Sequence, residues 1–160
     1  FIGLQILKKK INLKKKIKDY FVKKYFEPDI QIKLAKKLLN FANSSIDISD
    51  GIITDLEKLI NNQSLSYTFY ENDAPISKNL INLIKYKRLK KSNIISNGDD
   101  YQVLFTARPD KSRIILNTSI KLGIKITKIG KINSGRKKST IIDQKGREIL
   151  INNKGYTHQF

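Results

Sequence analysis

The stretch IDISDGIITDL, residues 46–56, marks the point where a short apolar segment gives way to a helical pattern. At a strand-to-helix junction, free backbone N–H groups and the helix dipole favour an anion. The carboxylates of Asp47 and Asp50, with Ser49 between them, can hold Mg²⁺ and a phosphate together, and Gly51 lets a ligand approach the backbone. The same residues also suit an ordinary helix N-terminus capped by Ser49 or Asp50. Taken alone, the motif leaves both interpretations open.

Outward from this stretch, helical and strand patterns alternate irregularly along the chain. Apolar spacing predicts helices over residues 8–26, 30–41, 52–61, 76–86 and 109–122. Alternation and β-branched content predict strands over 65–70, 101–106 and 124–132, and a pairing of 139–142 with 149–151 across a turn at 143–146. Residues 42–45 are interpreted as a turn or the entry to a strand. This mixed order predicts a compact α+β fold in which helices flank one mixed β-sheet.

Composition restricts the chemistry that this chain can perform. The chain has 160 residues, of which 39% are hydrophobic, enough for one domain with its own core. It has no Cys, which excludes disulfides and thiolate metal sites, and its lone His158 cannot form a zinc site or a catalytic relay by itself. Any metal must therefore be held by oxygen atoms, as Mg²⁺ is.

The beginning of the chain predicts a piece of a longer protein. The chain contains no Met and opens on the apolar run 1–7. That run is too short to span a membrane, and it lacks the basic flank of a signal peptide. We therefore expect a cytoplasmic location and no membrane partner.

The formal net charge of +18 raises the question of a polyanion partner. The basic residues are mostly Lys, spread along the whole chain, which is typical of a solvated surface and favours no specific nucleic-acid partner. Residues 8–26 carry the densest Lys run, and packing on their own domain is favoured over binding to a membrane surface. A non-enzymatic module that binds RNA or another polyanion remains an alternative.

Two further segments combine groups that suit ligand binding. Residues 96–101, SNGDDY, precede a predicted strand, and the adjacent acids Asp99 and Asp100 could bind a cation or a cationic ring. Residues 154–160, KGYTHQF, end the chain, and Tyr156 could stack on a flat ligand ring. A solvated turn and a packed terminus are the ordinary alternatives.

Together, the three segments resemble the thiamine-monophosphate kinase family. The family patterns are similar to I-D-[IL]-S-D-G-L-x-x-D-L, then G-G-E-D-Y-E-L, then iG-x-I and a terminal G-Y-x-H-F. The matching stretches here are 46–56 IDISDGIITDL, 97–103 NGDDYQV, 129–132 IGKI and 155–158 GYTH, and 25–28 YFEP also matches. The resemblance covers almost the whole chain but only the carboxy-terminal half of the family's length.

The resemblance implies an α+β domain like the carboxy-terminal domain of aminoimidazole ribonucleotide synthetase. Residues 1–26 would be the end of an amino-terminal domain with a connecting basic helix, and residues 27–160 would form the carboxy-terminal domain. A homodimer would form through the amino-terminal domain, which also supplies most Mg²⁺ ligands, so this half alone is expected to be inactive. A related ATP-dependent synthetase of the same fold is the alternative enzyme.

The resemblance also implies residue roles in a transfer of phosphate from ATP to thiamine monophosphate. Asp47 and Asp50 would hold Mg²⁺, Ser49 would contact ATP, and Asp99 and Tyr156 would contact the thiamine substrate. Transfer would be direct and in line, without a phosphoenzyme, so no catalytic nucleophile is expected. The departures from the family pattern are Asn97 for Gly, Asp99 for Glu, Gln102 for an acid and the inserted Gln159.

Overall fold

A computed structural model describes residues 1–61, 63–87, 89–98, 100–135, 138–151 and 155. Its helices and strands alternate irregularly, as the sequence predicts. In chain order they are α1 (Ile2–Leu7), α2 (Lys15–Phe26), α3 (Ile32–Leu38), β1 (Ala42–Asp47), α4 (Ile52–Leu59), β2 (Leu65–Tyr70), α5 (Lys78–Lys87), α6 (Lys91–Ile95), β3 (Val103–Ala107), α7 (Ser112–Leu122), β4 (Gly130–Ser134) and β5 (Thr140–Ile142).

The described strands form two sheets. Strands β1 and β3 pair antiparallel, so that Asp47 lies opposite Val103. In the second sheet, β2 lies between β4, with which it is antiparallel, and β5, with which it is parallel. The α+β class and the mixed sheet are confirmed, but the expectation of a single sheet is wrong. Among the described strands, β1 pairs with β3 alone, and β2, β4 and β5 pair only with one another.

Helix α4 joins both sheets through the main hydrophobic core. Its Ile53 is fully buried, and its neighbours in the core include Phe69 of β2, Leu104 of β3 and Ile141 of β5. The apolar stripe predicted for this helix is therefore confirmed. This packing fixes the first turn of α4, and with it the residues 49–51 that precede the helix.

The amino-terminal residues form a helical hairpin rather than the single helix predicted over 8–26. Helix α1 ends where Lys9 takes a left-handed conformation (φ 56°) and the N–H of Lys10 donates to the carbonyl of Gln5, 2.9 Å away. Helix α2 begins only at Lys15, after the turn at Lys9 and Lys10 has separated it from α1.

This hairpin packs on the rest of the domain. Ile2, Ile6 and Phe21 share a hydrophobic cluster with Leu83 of α5. The basic helix thus buries its apolar face against its own domain. The division of the chain at residue 26 stays a prediction.

Other boundaries shift by a few residues. The strand over 65–70 and the pairing of 139–142 with 149–151 are confirmed, the latter by a bond from the Ile149 N–H to the Ile141 carbonyl, 2.9 Å away. Residues 42–47 form a strand, and α3 is shorter than 30–41. The strand predicted over 124–132 begins only at Gly130, and the residue at the start of the predicted range, Ile124, instead closes the end of α7 by donating its N–H to the Ser119 carbonyl.

None of the helices in the described part of the chain combines the length and apolar character needed to cross a membrane.

Replacing Ile53 by Ala should lower the free energy of unfolding by about 2–5 kcal/mol, because the lost side chain leaves a cavity beneath α4. Denaturant unfolding followed by circular dichroism would measure the loss. The matched control is Ile120→Ala on α7, where the side chain is 71% exposed, and this change should stay within about 0.5 kcal/mol. Equal losses in the two variants would contradict the assigned core.

Candidate functional site

A buried carboxylate organises the turn between β1 and α4. Asp55 has no exposed surface, and its Oδ2 accepts hydrogen bonds from the backbone N–H groups of Ser49 (2.9 Å), Asp50 (2.9 Å) and Gly51 (3.2 Å). The expectation that Ser49 or Asp50 caps α4 is wrong. Gly51 is the N-cap residue, and no side chain at that position makes a capping bond. One carboxylate inside the helix therefore accepts the N–H groups of all three residues that lead into it.

Lys58 connects Asp55 to the second acid of the motif. Its Nζ lies 3.0 Å from Asp55 Oδ1 and also forms an ion pair with Asp50 Oδ2. The hydrogen bond to Asp50, followed by the one to Asp55, raises the pKa of Lys58 above its usual value. Lys58 is therefore charged at neutral pH, and the turn holds two carboxylates with one ammonium between them.

Glycines bring the loop of residues 96–98 onto this turn. A methyl group on Gly98 would lie 1.8 Å from the carbonyl oxygen of Ser49, and one on Gly51 would lie 2.2 Å from that of Ser96. Gly51 also has a φ of 126°, which favours glycine over any other residue. The loop and the turn thus touch backbone to backbone.

The carboxy-terminal segment reaches the same place. A methyl group on Gly155 would lie 2.2 Å from Thr54 Oγ1 and 2.4 Å from the carbonyl oxygen of Asp50. Three stretches that are far apart in sequence, at residues 49–51, 96–98 and 155, therefore meet at the start of α4. Tyr156 and Asp99 lie outside the described residues, but each directly follows a glycine that belongs to this contact.

Asp47 lies in different surroundings, on the exposed face of β1. It borders an open cleft of about 540 Å³ whose walls are mainly apolar and include Ile30, Ile32, Ala35, Tyr101 and Val103. Tyr101 has a left-handed backbone (φ 51°), which is unfavourable for an aromatic residue.

Two main-chain hydrogen bonds maintain the strained conformation of Tyr101. Its N–H donates to the Ile48 carbonyl at 2.9 Å, and the Ile48 N–H donates to the Gln102 carbonyl at 2.8 Å. Strain that the surroundings maintain in this way is common at ligand sites. The cleft thus offers an acid at the edge of an apolar wall.

These groups suit a hard cation in their chemistry but do not enclose one. Both Asp47 and Asp50 offer carboxylate oxygens, and the position next to Asp50 already accommodates the positive charge of Lys58. Among the described residues, no three His, Cys, Asp or Glu side chains are grouped as a metal site. A Mg²⁺ ion at Asp47 or Asp50 would therefore take further oxygen ligands from water, from phosphate or from groups beyond these residues.

The curated proteins described here that resemble this chain share one name. The chain matches no protein-family model. It is 37% identical over 158 residues to the thiamine-monophosphate kinase of Buchnera aphidicola subsp. Schizaphis graminum, a match that spans 98% of this chain and 48% of that protein. The chain is homologous to thiamine-monophosphate kinases. The enzyme of that name from Escherichia coli K12 is 28% identical over 158 residues, which again make up 98% of this chain and 48% of that protein. The chain therefore spans about half the length of the curated relatives it matches.

Solved structures show the same fold. A crystal structure of thiamine-monophosphate kinase from Stenotrophomonas maltophilia K279a superposes with a TM-score of 0.74 at 22% identity, over 87% of this chain and 45% of that one. A structure described as AaThiL complexed with AMPPCP and TMP superposes with a TM-score of 0.73 at 20% identity, over 97% of this chain and 47% of that one. The α+β fold of thiamine-monophosphate kinases is confirmed for this chain.

Sequence reasoning assigned no role to Asp55 and did not consider Lys58. A signal was nevertheless present, because Asp55 follows Ile52 by three positions and precedes Leu59 by four, and so lies on the apolar face of its helix. An acid in that position has to be paired or hydrogen-bonded. Lys58, three residues further on, is within reach of it.

Replacing Asp55 by Asn should lower the free energy of unfolding by about 3 kcal/mol, because three N–H groups and the ammonium of Lys58 lose the carboxylate that they share in a buried site. Thermal and denaturant unfolding would measure this loss. The control is Glu27→Gln, which removes an exposed acid 3.7 Å from Lys23 and should cost less than about 0.5 kcal/mol. A variant Asp55→Asn as stable as the parent would contradict the role of Asp55 in the turn.

Replacing Gly98 by Ala should destabilise the protein by about 2 kcal/mol or more, because the new methyl group would overlap the Ser49 carbonyl. The comparison variant is Gly123→Ala, where the added methyl group enters open space but φ is 63°, so that only about 1 kcal/mol of backbone strain is expected. Hydrogen exchange of the Asp50 and Gly51 amides should accelerate in Gly98→Ala alone. Unchanged exchange would mean that the loop does not pack on the turn.

Proposed function

We propose that the protein carrying this chain is a thiamine-monophosphate kinase, which transfers the γ-phosphate of ATP to thiamine monophosphate to form thiamine diphosphate. The observation that supports this most is the meeting of three motif segments, at residues 49–51, 96–98 and 155, around the first turn of α4. An accidental sequence resemblance would give no reason for these distant stretches to touch. The homology to enzymes of this name over 98% of the chain supports the same conclusion.

We propose that Asp47 and Asp50 hold Mg²⁺ and that Ser49 contacts ATP. When bound, Mg²⁺ neutralises the charge that gathers on the phosphate oxygens during transfer. The chain's own contribution is positional. Asp55 keeps residues 49–51 in one conformation, so that the backbone holds the Asp50 side chain and the Ser49 hydroxyl at fixed positions. Asp47 presents its carboxylate at the cleft from the end of a paired strand.

We further propose that Asp99 and Tyr156 contact the thiamine substrate. Support comes from their neighbours, since Gly98 and Gly155 both pack on the motif turn. No phosphoenzyme is needed, because in-line transfer relies on positioning and charge neutralisation.

We infer that the remaining partners lie beyond this chain. The dimer and most Mg²⁺ ligands are expected from an amino-terminal domain, and the cytoplasm is the expected location. A related synthetase of the same fold is less favoured, because the relatives described above all share the kinase name. A panel of substrates with ATP and Mg²⁺ would separate the two, since only the kinase converts thiamine monophosphate to thiamine diphosphate.

In the full-length protein, Asp47→Asn and Asp50→Asn should each reduce turnover at least about 100-fold, because each removes a charge that acts on the transferred phosphate. Formation of thiamine diphosphate, followed by chromatography after oxidation to a fluorescent thiochrome, gives the rates. The control Asp110→Asn changes an acid whose side chain is 60% exposed and which pairs with the nearby Arg108, and it should leave turnover unchanged. Full activity in both test variants would refute the proposed metal ligands.

A further inference from the structure

Lys58 is a charged group at the site to which the proposed reaction assigns no role. Its Nζ touches both Asp50 Oδ2 and Asp55 Oδ1, although 45% of its side chain remains exposed. Asp50 and Asp55 are 8% and 0% exposed. Two carboxylates buried this deeply and this close together would repel each other without a cation between them. The ammonium of Lys58 supplies that cation.

We propose that Lys58 is an internal counterion that binds the Asp50 carboxylate while no metal is present and releases it when Mg²⁺ binds, remaining paired with Asp55. This inference rests on the proposed function, in which Asp50 is a metal ligand. It makes Lys58 a positioning residue that keeps the turn folded when no metal is bound. Mg²⁺ then has to displace an ammonium from Asp50 rather than a water shell alone.

The hydrogen bonds determine which carboxylate can change partner. Asp55 accepts three backbone N–H bonds through Oδ2, so moving it would leave the whole turn unsatisfied. The side chain of Asp50 is 11% exposed, and its carboxylate forms an ion pair with Lys58, whose own side chain is 45% exposed. Asp50 can therefore exchange one cation for another while Asp55 stays in place.

The properties of lysine suit this exchange. Its ammonium sits on a flexible four-carbon stem and is strongly hydrated, so it can move toward water without leaving Asp55. A guanidinium in the same place would hold the carboxylates with a rigid fork and would exchange less readily. Because like charges repel, an ammonium beside Asp50 must also weaken the binding of a divalent cation there.

The test uses the full-length protein and Mn²⁺ as the probe, titrated by electron paramagnetic resonance. The relevant site is the one that disappears in Asp50→Asn. Lys58→Gln should bind Mn²⁺ at that site about tenfold more tightly than the parent, because the neighbouring positive charge is gone. Without metal, Lys58→Gln should melt at a lower temperature than the parent. Added Mg²⁺ should raise the melting temperature of Lys58→Gln by more than it raises that of the parent.

Two controls separate charge from shape. Lys58→Arg keeps the charge and should bind Mn²⁺ no more tightly than the parent. Lys23→Gln removes a lysine that pairs with Glu27 where both side chains are 72% exposed, and it should change neither the affinity nor the melting temperature. Weaker or equal Mn²⁺ binding by Lys58→Gln would overturn the proposal, as would the absence of an Asp50-dependent site in the parent.

A measurement on the unaltered protein keeps the proposal testable if Lys58→Gln does not fold. Lysine acetylation read by mass spectrometry should become faster at Lys58 when Mg²⁺ is added, because the ammonium then loses one of its two carboxylate partners. Acetylation at Lys23 should not change. A Lys58 rate that Mg²⁺ leaves unchanged or lowers overturns the counterion role. The thiamine diphosphate assay reports separately on the proposed function, so the two failures are distinguishable.

Discussion

The buried carboxylate of Asp55 is the interaction on which the rest of the site depends. Placed without exposed surface in the first turn of α4, it accepts three consecutive backbone N–H groups through one oxygen and the ammonium of Lys58 through the other. A carboxyl group in such a place is tolerated only when its oxygens are hydrogen-bonded. Because these bonds define the path of residues 49–51, they also define where Gly98 and Gly155 can pack. A local charge thereby organises contacts between segments about fifty residues apart.

The same constraint separates the roles of the two motif acids. Asp50 lies inside the turn with Lys58, whereas Asp47 remains on the exposed face of β1 at the edge of an apolar cleft. One acid is thus held by the protein's own cation and the other is open to the outside. Strain at Tyr101, which borders the cleft, indicates that the surrounding backbone gives up some stability to keep this geometry. The high density of positive charge along the chain is a property separate from this arrangement of the two acids. The Lys-rich amino-terminal segment packs its apolar residues against α5.

Sequence patterns were most informative where the structure is local. The apolar stripe of α4, the strand over 65–70 and the glycine after α7 follow from periodicity and from left-handed termination, which act over a few residues. Patterns were misleading where neighbours in space decide the outcome. The helix expected over 8–26 breaks around Lys9, and the caps expected from Ser49 and Asp50 are replaced by Asp55. In the first place a turn at Lys9 interrupts the helical pattern, and in the second a carboxylate inside the helix binds the N–H groups of residues 49–51.

By itself, the sequence determined the fold class, the resemblance to thiamine-monophosphate kinases and the identity of most candidate ligands, because motifs and amphipathic periods are recorded along the chain. Only the tertiary structure decided that Asp55 and Lys58 complete the turn and that the segments near 50, 97 and 155 meet there. Periodicity describes the neighbours of a residue within one helix or strand, but the pairing of a buried charge depends on which atoms the folded backbone brings within about 3 Å of it. Those atoms come within that distance only in the folded chain.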